Sequence, residues 1–282
     1  MLLIIEALLL ILAALGQDHR AAAAAAVKGE IIPLDMAPKS VDDQYMGCRG
    51  KMAKLVEKKL LKNELKKSPV FKLAWDKGKE FAKGPKDDLN RTHLIAIYVY
   101  SDASVYSNFN VETRSDKKQY KDEEYKWYSL HFLLTEAIRI LKKTQNQCHS
   151  TYRGTNIEFN KTVLNKEVRF GSFASSSLDI KVTKRFGTKS CFEIRTCEGA
   201  NLAKYSKLPH EKEVLIPPYE KFIVTAVKTR VEQKDLWCET VFVLKSTGTR
   251  SDLNCALFKK PSRILKNISK TKAKYYVLNK VL

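Results

Sequence analysis

The chain has 282 residues, 44% of them hydrophobic, and sets 51 Lys and Arg against 31 Asp and Glu for a formal charge of +20. A length of this order can bury one good-sized core, and no low-complexity linker divides it. The charge favours anionic partners such as glycans, acidic surfaces or acidic proteins, while the lack of a zinc-finger or aromatic ribonucleoprotein signature argues against specific nucleic-acid recognition.

Residues Met1 to Gly16 are apolar except for Glu6, and polar residues follow from Gln17. This predicts a signal peptide spanning 1–16, its cleavage point left open up to about residue 26 by the Ala21 to Ala26 run. The stretch is shorter than the roughly 20 residues of a membrane span. Folding is expected to begin near Gly29. From 51 to 67, Met52, Leu55, Val56, Leu60, Leu61 and Leu65 recur at helical spacing with lysines on the opposite face, which predicts a basic surface helix. Phe71, Ala74, Trp75 and Phe81 predict a second helix, ending near Gly84-Pro85. His93 to Tyr100 is short and rich in β-branched and aromatic residues, so it reads as a strand. Leu130, Leu133, Leu134, Ala137, Ile138 and Leu141 mark a further helix. After Cys148 the pattern changes to short apolar runs at 168–173, 190–196, 214–216, 222–231 and 236–244, the last two joined by the polar link Glu232 to Asp235 as a hairpin. Helices gathered at about 45–145 before strands at about 148–260 predict a single α+β domain over 29–282. Neither Gly-x-Gly-x-x-Gly nor a P-loop occurs, so a nucleotide would be held by other means.

Six cysteines (Cys48, Cys148, Cys191, Cys197, Cys238, Cys255) and three Asn-x-Ser/Thr sites (Asn90, Asn160, Asn267) fit an exported chain with disulfides. The 15 ways of pairing six cysteines remain open on spacing alone. His210-Glu211 lacks a second histidine at the zincin spacing, and no metal site is expected. The segment from Lys266 to Leu282 is basic without a hydrophobic tail, so a released protein without a membrane anchor is expected.

Glu211 and Glu213 stand one residue apart before the apolar run Val214-Leu215-Ile216. In extended backbone they would share one face. Two convergent carboxylates suit chemistry on a cation. One stabilises a developing oxocarbenium charge and the other orients or deprotonates an attacking group.

Tyr152-Arg153-Gly154-Thr155, then Arg169 to Ser177 with its Ser175-Ser176-Ser177, then Glu211-x-Glu213-Val-Leu-Ile-Pro-Pro follow one another in the order of the R-S-E class. This order resembles the vertebrate secreted and cell-surface NAD(P)-arginine mono-ADP-ribosyltransferases. Asp35-Met36-Ala37-Pro38, Val41-Asp42-Asp43-Gln44-Tyr45, Thr196-Cys197-Glu198-Gly199-Ala200 and Asn254-Cys255 are also similar to that family, so the likeness covers about Ile31 to Lys260. The resemblance implies a helical part packed on a mixed β-sandwich core, with NAD or NADP as co-substrate and arginine-containing proteins as acceptors. It implies Arg153, Ser175 and Glu213 as catalytic residues, with Glu211 selecting arginine. Arg153, Gly154, Ser172 and Ser206 are implied to contact NAD. Phe170 and Phe173 are candidates both for stacking on nicotinamide and for core packing, and 204–209 is similar to the family's acceptor-recognition loop. It further implies bridges Cys48 to Cys255 and Cys148 to Cys197, leaving Cys191 and Cys238, both within expected strands, for a third. NAD hydrolysis and an inactive cationic binding protein are the competing readings.

Overall fold

A computed structural model describes residues 31–259 except Pro85. The signal segment, the Asn267 site and the basic tail lie outside the described residues. The basic helix forms as α1 (Arg49–Leu55), a π-helical turn (Val56–Leu60) and α2 (Leu61–Lys67). Its apolar residues pack on the helical core and its lysines are exposed. α3 (Pro69–Phe81) starts at Ser68, whose Oγ accepts from the Phe71 N–H at 3.2 Å.

The run from His93 to Tyr100 is helical, not a strand. It belongs to α4 (Arg91–Tyr100), where Asn90 Oδ1 accepts from the His93 N–H at 3.0 Å and His93 Nδ1 faces the Asn90 N–H at 3.4 Å. That reciprocal cap satisfies two terminal donors. Burial of His93, Leu94, Ile95, Ala96, Ile97, Val99 and Tyr100 inside the helical core then overrides the β-branched preference of single residues. α5 (Ala103–Ser115) and α6 (Lys117–Asp122) had no clear apolar signal. A side-chain cap starts α5, with Asp102 Oδ1 accepting from the Ser104 N–H at 3.0 Å. α7 (Tyr128–Gln145) runs through the middle of this half, with every residue from 128 to 138 buried.

β1 (Ile31–Ile32) pairs in parallel with β3 (Glu158–Phe159). The main sheet contains β2 (His149–Thr155), β4 (Glu167–Val168), β5 (Ala174–Ser177), β6 (Ser190–Thr196), β7 (Ala200–Asn201), β8 (Glu213–Ile216), β9 (Glu220–Thr229) and β10 (Thr240–Thr249). Its order is β4-β9-β10-β6-β2-β5-β8-β7, antiparallel throughout except for β10 beside β6. β2 pairs with β6 along its whole length but meets β5 only at Tyr152↔Ser177. The two portions of the sheet therefore splay apart at β2 and β5. All four residues of β8 are buried, because Leu215 joins the helical core and Ile216 a second core with Phe192, Phe222 and Phe242. This is an α+β fold with a mixed sheet.

Two expected strands are shorter than the apolar pattern suggests. Only Val168 of the 168–173 run pairs, together with the preceding Glu167, since Arg169 turns inward to an ion pair and Gly171 adopts φ +73°. Trp237 and Cys238 precede β10, and they pack with Leu236 and Val241 around Cys191. The structure pairs Cys48 with Cys255, Cys148 with Cys197 and Cys191 with Cys238.

Candidate active site

The splay between β2 and β5 is bridged by a side chain. Arg153 Nη1 donates to the Ser175 carbonyl at 2.6 Å, satisfying a backbone acceptor where ladder pairing gives out. Beside it opens a cavity of about 590 Å³, lined by Arg153, Gly154, Ser172, Ser175, Ser177, Glu211 and Glu213 among others. That volume suits a ligand of nucleotide size.

Glu213 opens β8 directly opposite Ser177 on β5. It is 2% exposed, and neither carboxylate oxygen has a hydrogen-bond partner among the described residues. A buried carboxylate without partners is costly unless something else supplies them. Glu211 does not share an extended backbone with Glu213. It ends a 3-10 turn (Pro209–Glu211), and Lys212 follows in the left-handed region at φ +46°. Ser177 Oγ donates to the Glu211 carbonyl at 2.7 Å, and the Leu178 N–H donates to the Lys212 carbonyl at 3.2 Å. The turn is thus pinned to the end of β5, and both glutamates line the cavity despite the break in the strand.

Ser175 Oγ lies 3.2 Å from the Tyr100 hydroxyl at the end of α4. That hydroxyl donates to the Phe173 carbonyl at 3.2 Å and accepts from Asn110 Nδ2 at 3.4 Å. Burial, reinforced by Tyr106 and by the charge of Glu213, holds the Tyr100 hydroxyl well above the ordinary phenol pKa, so it stays protonated. Tyr106, Asn110 and Arg114 recur every fourth residue on α5 and all line the cavity. The sequence reading missed this wall, although its i, i+4, i+8 spacing was legible. Arg114 Nη2 donates to Ser172 Oγ at 2.8 Å. Its guanidinium pKa is lowered by the surrounding protein and then by the positive charge of Arg153, although the residue stays open to solvent at the cavity wall.

Other expected residues lie elsewhere. Ser206 is buried beside Ser101 at 3.4 Å, accepts from the Leu208 N–H at 3.1 Å, and does not line the cavity. Phe173 stacks on Phe109 in the core and Phe170 packs edge-on against Phe192 and Phe222, though each also reaches the cavity wall. The 204–209 loop is held from the helical half. The Tyr205 hydroxyl donates to Asp87, and Lys86 Nζ donates to the Lys204 carbonyl at 3.1 Å.

The sequence model of the NAD:arginine ADP-ribosyltransferase family matches residues 34–241, which contain the whole of this cavity's charged wall. The chain belongs to that family. It is 36% identical over 253 residues to NAD(P)(+)--arginine ADP-ribosyltransferase 2 of Gallus gallus, covering 85% of this chain and 78% of the relative. It is 32% identical over 241 residues to ecto-ADP-ribosyltransferase 5 of Rattus norvegicus, covering 80% and 76% respectively. Among solved structures it is similar to a variant of the eukaryotic mono-ADP-ribosyltransferase ART2.2 in complex with NADH, with a TM-score of 0.68, 31% identity, and coverage of 79% of this chain and 98% of that one. The protein is accordingly a glycosyltransferase that uses NAD as co-substrate and arginine as acceptor.

Proposed function

We propose that Glu213 stabilises the positive charge that grows on the NAD ribose as nicotinamide leaves, and that Glu211 receives the acceptor arginine. The pyridinium departs as neutral nicotinamide, so bond cleavage needs no general acid. What needs help is the developing oxocarbenium ion, and a fixed, buried carboxylate facing the cavity supplies it electrostatically. The observation that carries this reading is the buried Glu213 carboxylate, unbonded among the described residues and facing the cavity. Ser175, which lines the same cavity from the neighbouring strand, is assigned to hold it once NAD is bound. Arg153, backed by Arg114 with Ser172, presents two guanidinium groups suited to a pyrophosphate of NAD or NADP. Gly154 lets β2 approach the chain at Thr183 and Gly187. The guanidino group of the acceptor attacks the opposite face of the ribose, with inversion, and loses a proton to Glu211 as it does so.

Incubation with labelled NAD and agmatine tests this. Label on agmatine is the expected outcome, and Glu213→Gln should reduce transfer by on the order of 10²–10³-fold. Free ADP-ribose alone would assign the cavity to hydrolysis, and neither product would make the protein a cationic binder. The reading extends to an exported glycoprotein. Three disulfides are built into the described residues, and Asn90 and Asn160 are exposed, with the Thr92 and Thr162 hydroxyls donating to their Oδ1 atoms. Its positive charge engages anionic glycans. Recovery of the protein in the medium, with a mass lowered by a glycosidase, checks the exported form.

A further inference from the structure

The contiguous helix of α1, the π-turn and α2 carries eight basic residues and two carboxylates. One carboxylate, Glu64, is buried with its pKa raised to about 8 by burial, so Glu57 is the exposed one. Lys51, Lys54, Lys58, Lys62 and Lys66 follow at intervals of three and four residues, one helical turn apart, over roughly 20 Å. All five are exposed, and none has an ion pair among the described residues. Like charges one turn apart oppose helix formation, so the stripe is unfavourable for the isolated fold.

We infer that this stripe is a docking track for a linear sulfated polysaccharide. The inference rests on the glycan reading above and assigns it to one face. Evenly spaced ammonium groups match a polymer whose anionic groups repeat along an extended chain, and counterion release drives the association. A lipid surface fits less well, because the apolar residues of this helix are turned to the core and none of the large exposed hydrophobic side chains lies between 49 and 67. A nucleic acid also fits less well, because the segment holds no aromatic side chain to stack on bases. No residue from 49 to 67 lines the catalytic cavity, so the enzyme could turn over while held on the polymer.

The test compares binding to heparin in a salt titration for three proteins. These are the wild type, a stripe variant with Lys51, Lys54, Lys58, Lys62 and Lys66 changed to Gln, and a control with Lys118, Lys121, Lys161, Lys166 and Lys234 changed to Gln. The two variants lose the same charge. We expect the stripe variant to lose about 4 from the slope of log K against log salt, and the control to lose under a quarter of that. Agmatine transfer should be equal in all three, which also reports folding. Equal losses in both variants would overturn the stripe while leaving a diffuse glycan attraction standing. A wild type that fails to bind heparin at physiological salt would overturn both. Stripe-dependent binding to phosphatidylserine vesicles or single-stranded DNA as tight as to heparin would overturn the choice of polymer.

Discussion

Tyr100 links the helical half to the wall of the cavity. Its hydroxyl reaches both the Phe173 carbonyl and Ser175 Oγ, one on each side of the β5 start. If Ser175 orients Glu213, Tyr100 is a positioning residue for Ser175, and the two should act as one unit. Tyr100→Phe is expected to lower kcat for agmatine transfer several-fold with little change in KM for NAD. Combined with Ser175→Ala it should add almost nothing, since coupled residues fail to sum. A double-mutant cycle measures this, and additive losses would disconnect the tyrosine from the serine. Arg114 makes the opposite prediction. Its charge faces that of Arg153 across the cavity, an arrangement that a bound pyrophosphate would relieve. Arg114→Gln should raise KM for NAD about tenfold or more with a smaller effect on kcat, and steady-state kinetics would show the split.

At the scale of elements, the geometry of β2 depends on a missing side chain. A Cβ at Gly154 would sit far inside contact distance of the carbonyls of Thr183 and Gly187, and these backbone atoms cannot swing aside as a flexible side chain would. Gly154→Ala should therefore push β2 away from the short helix α8 (Ile180–Thr183) and shift Arg153 with it. The expected result is loss of the NAD-induced rise in Tm alongside a retained far-UV spectrum. An NAD-dependent shift of wild-type size would show that the contact is tolerated. Much of this region was legible in the chain, because Arg153, Ser175, Glu211 and Glu213 carry their order in plain sequence and all four reach one cavity. The helical wall was harder to read. α4 is apolar on all sides, so its periodicity disappears and its β-branched residues suggest a strand, while α5 is mostly polar and begins on an Asp102 cap. Ser206 sits away from the cavity for another reason. Adjacency to a motif in sequence does not carry a side chain around the turn at Leu202 to Leu208, where backbone and hydroxyl bonds hold Ser206 in the interior.

On the scale of the whole molecule, the helical and β-rich parts are fastened by buried charge. Arg169 donates to Asp42 at 2.7 Å with both side chains fully buried, and it also donates to the carbonyls of Met36, Ala37 and Arg250. Asp42 in turn accepts from the N–H groups of Asp252 and Leu253, two residues ahead of the Cys48–Cys255 bridge. Arg169→Met should cost about 3–5 kcal/mol, because it leaves Asp42 buried with its charge uncompensated, and denaturant unfolding would measure it. Two other buried groups make stability depend on pH. Glu64 accepts from the Ser129 N–H at 3.1 Å near the start of α7, and burial lifts its pKa from 4.5 to about 8. The folded state then keeps a proton that the unfolded chain has released, so its contribution is complete below about 4.5 and fades as pH rises through 8. His131, buried with its Nε2–H donating to the Val41 carbonyl, is pushed down from 6.5 to about 4. Its contribution is complete above 6.5 and fades as pH falls through 4. The two oppose each other on the acid side, and of this pair only Glu64 still titrates above 6.5. Thermal melts of the wild type should therefore fall in Tm between about pH 6.5 and 8.5 more steeply than those of Glu64→Gln, which keeps an acceptor for Ser129 without a titrating proton. Parallel slopes for the two proteins would place the alkaline loss of stability at some other group.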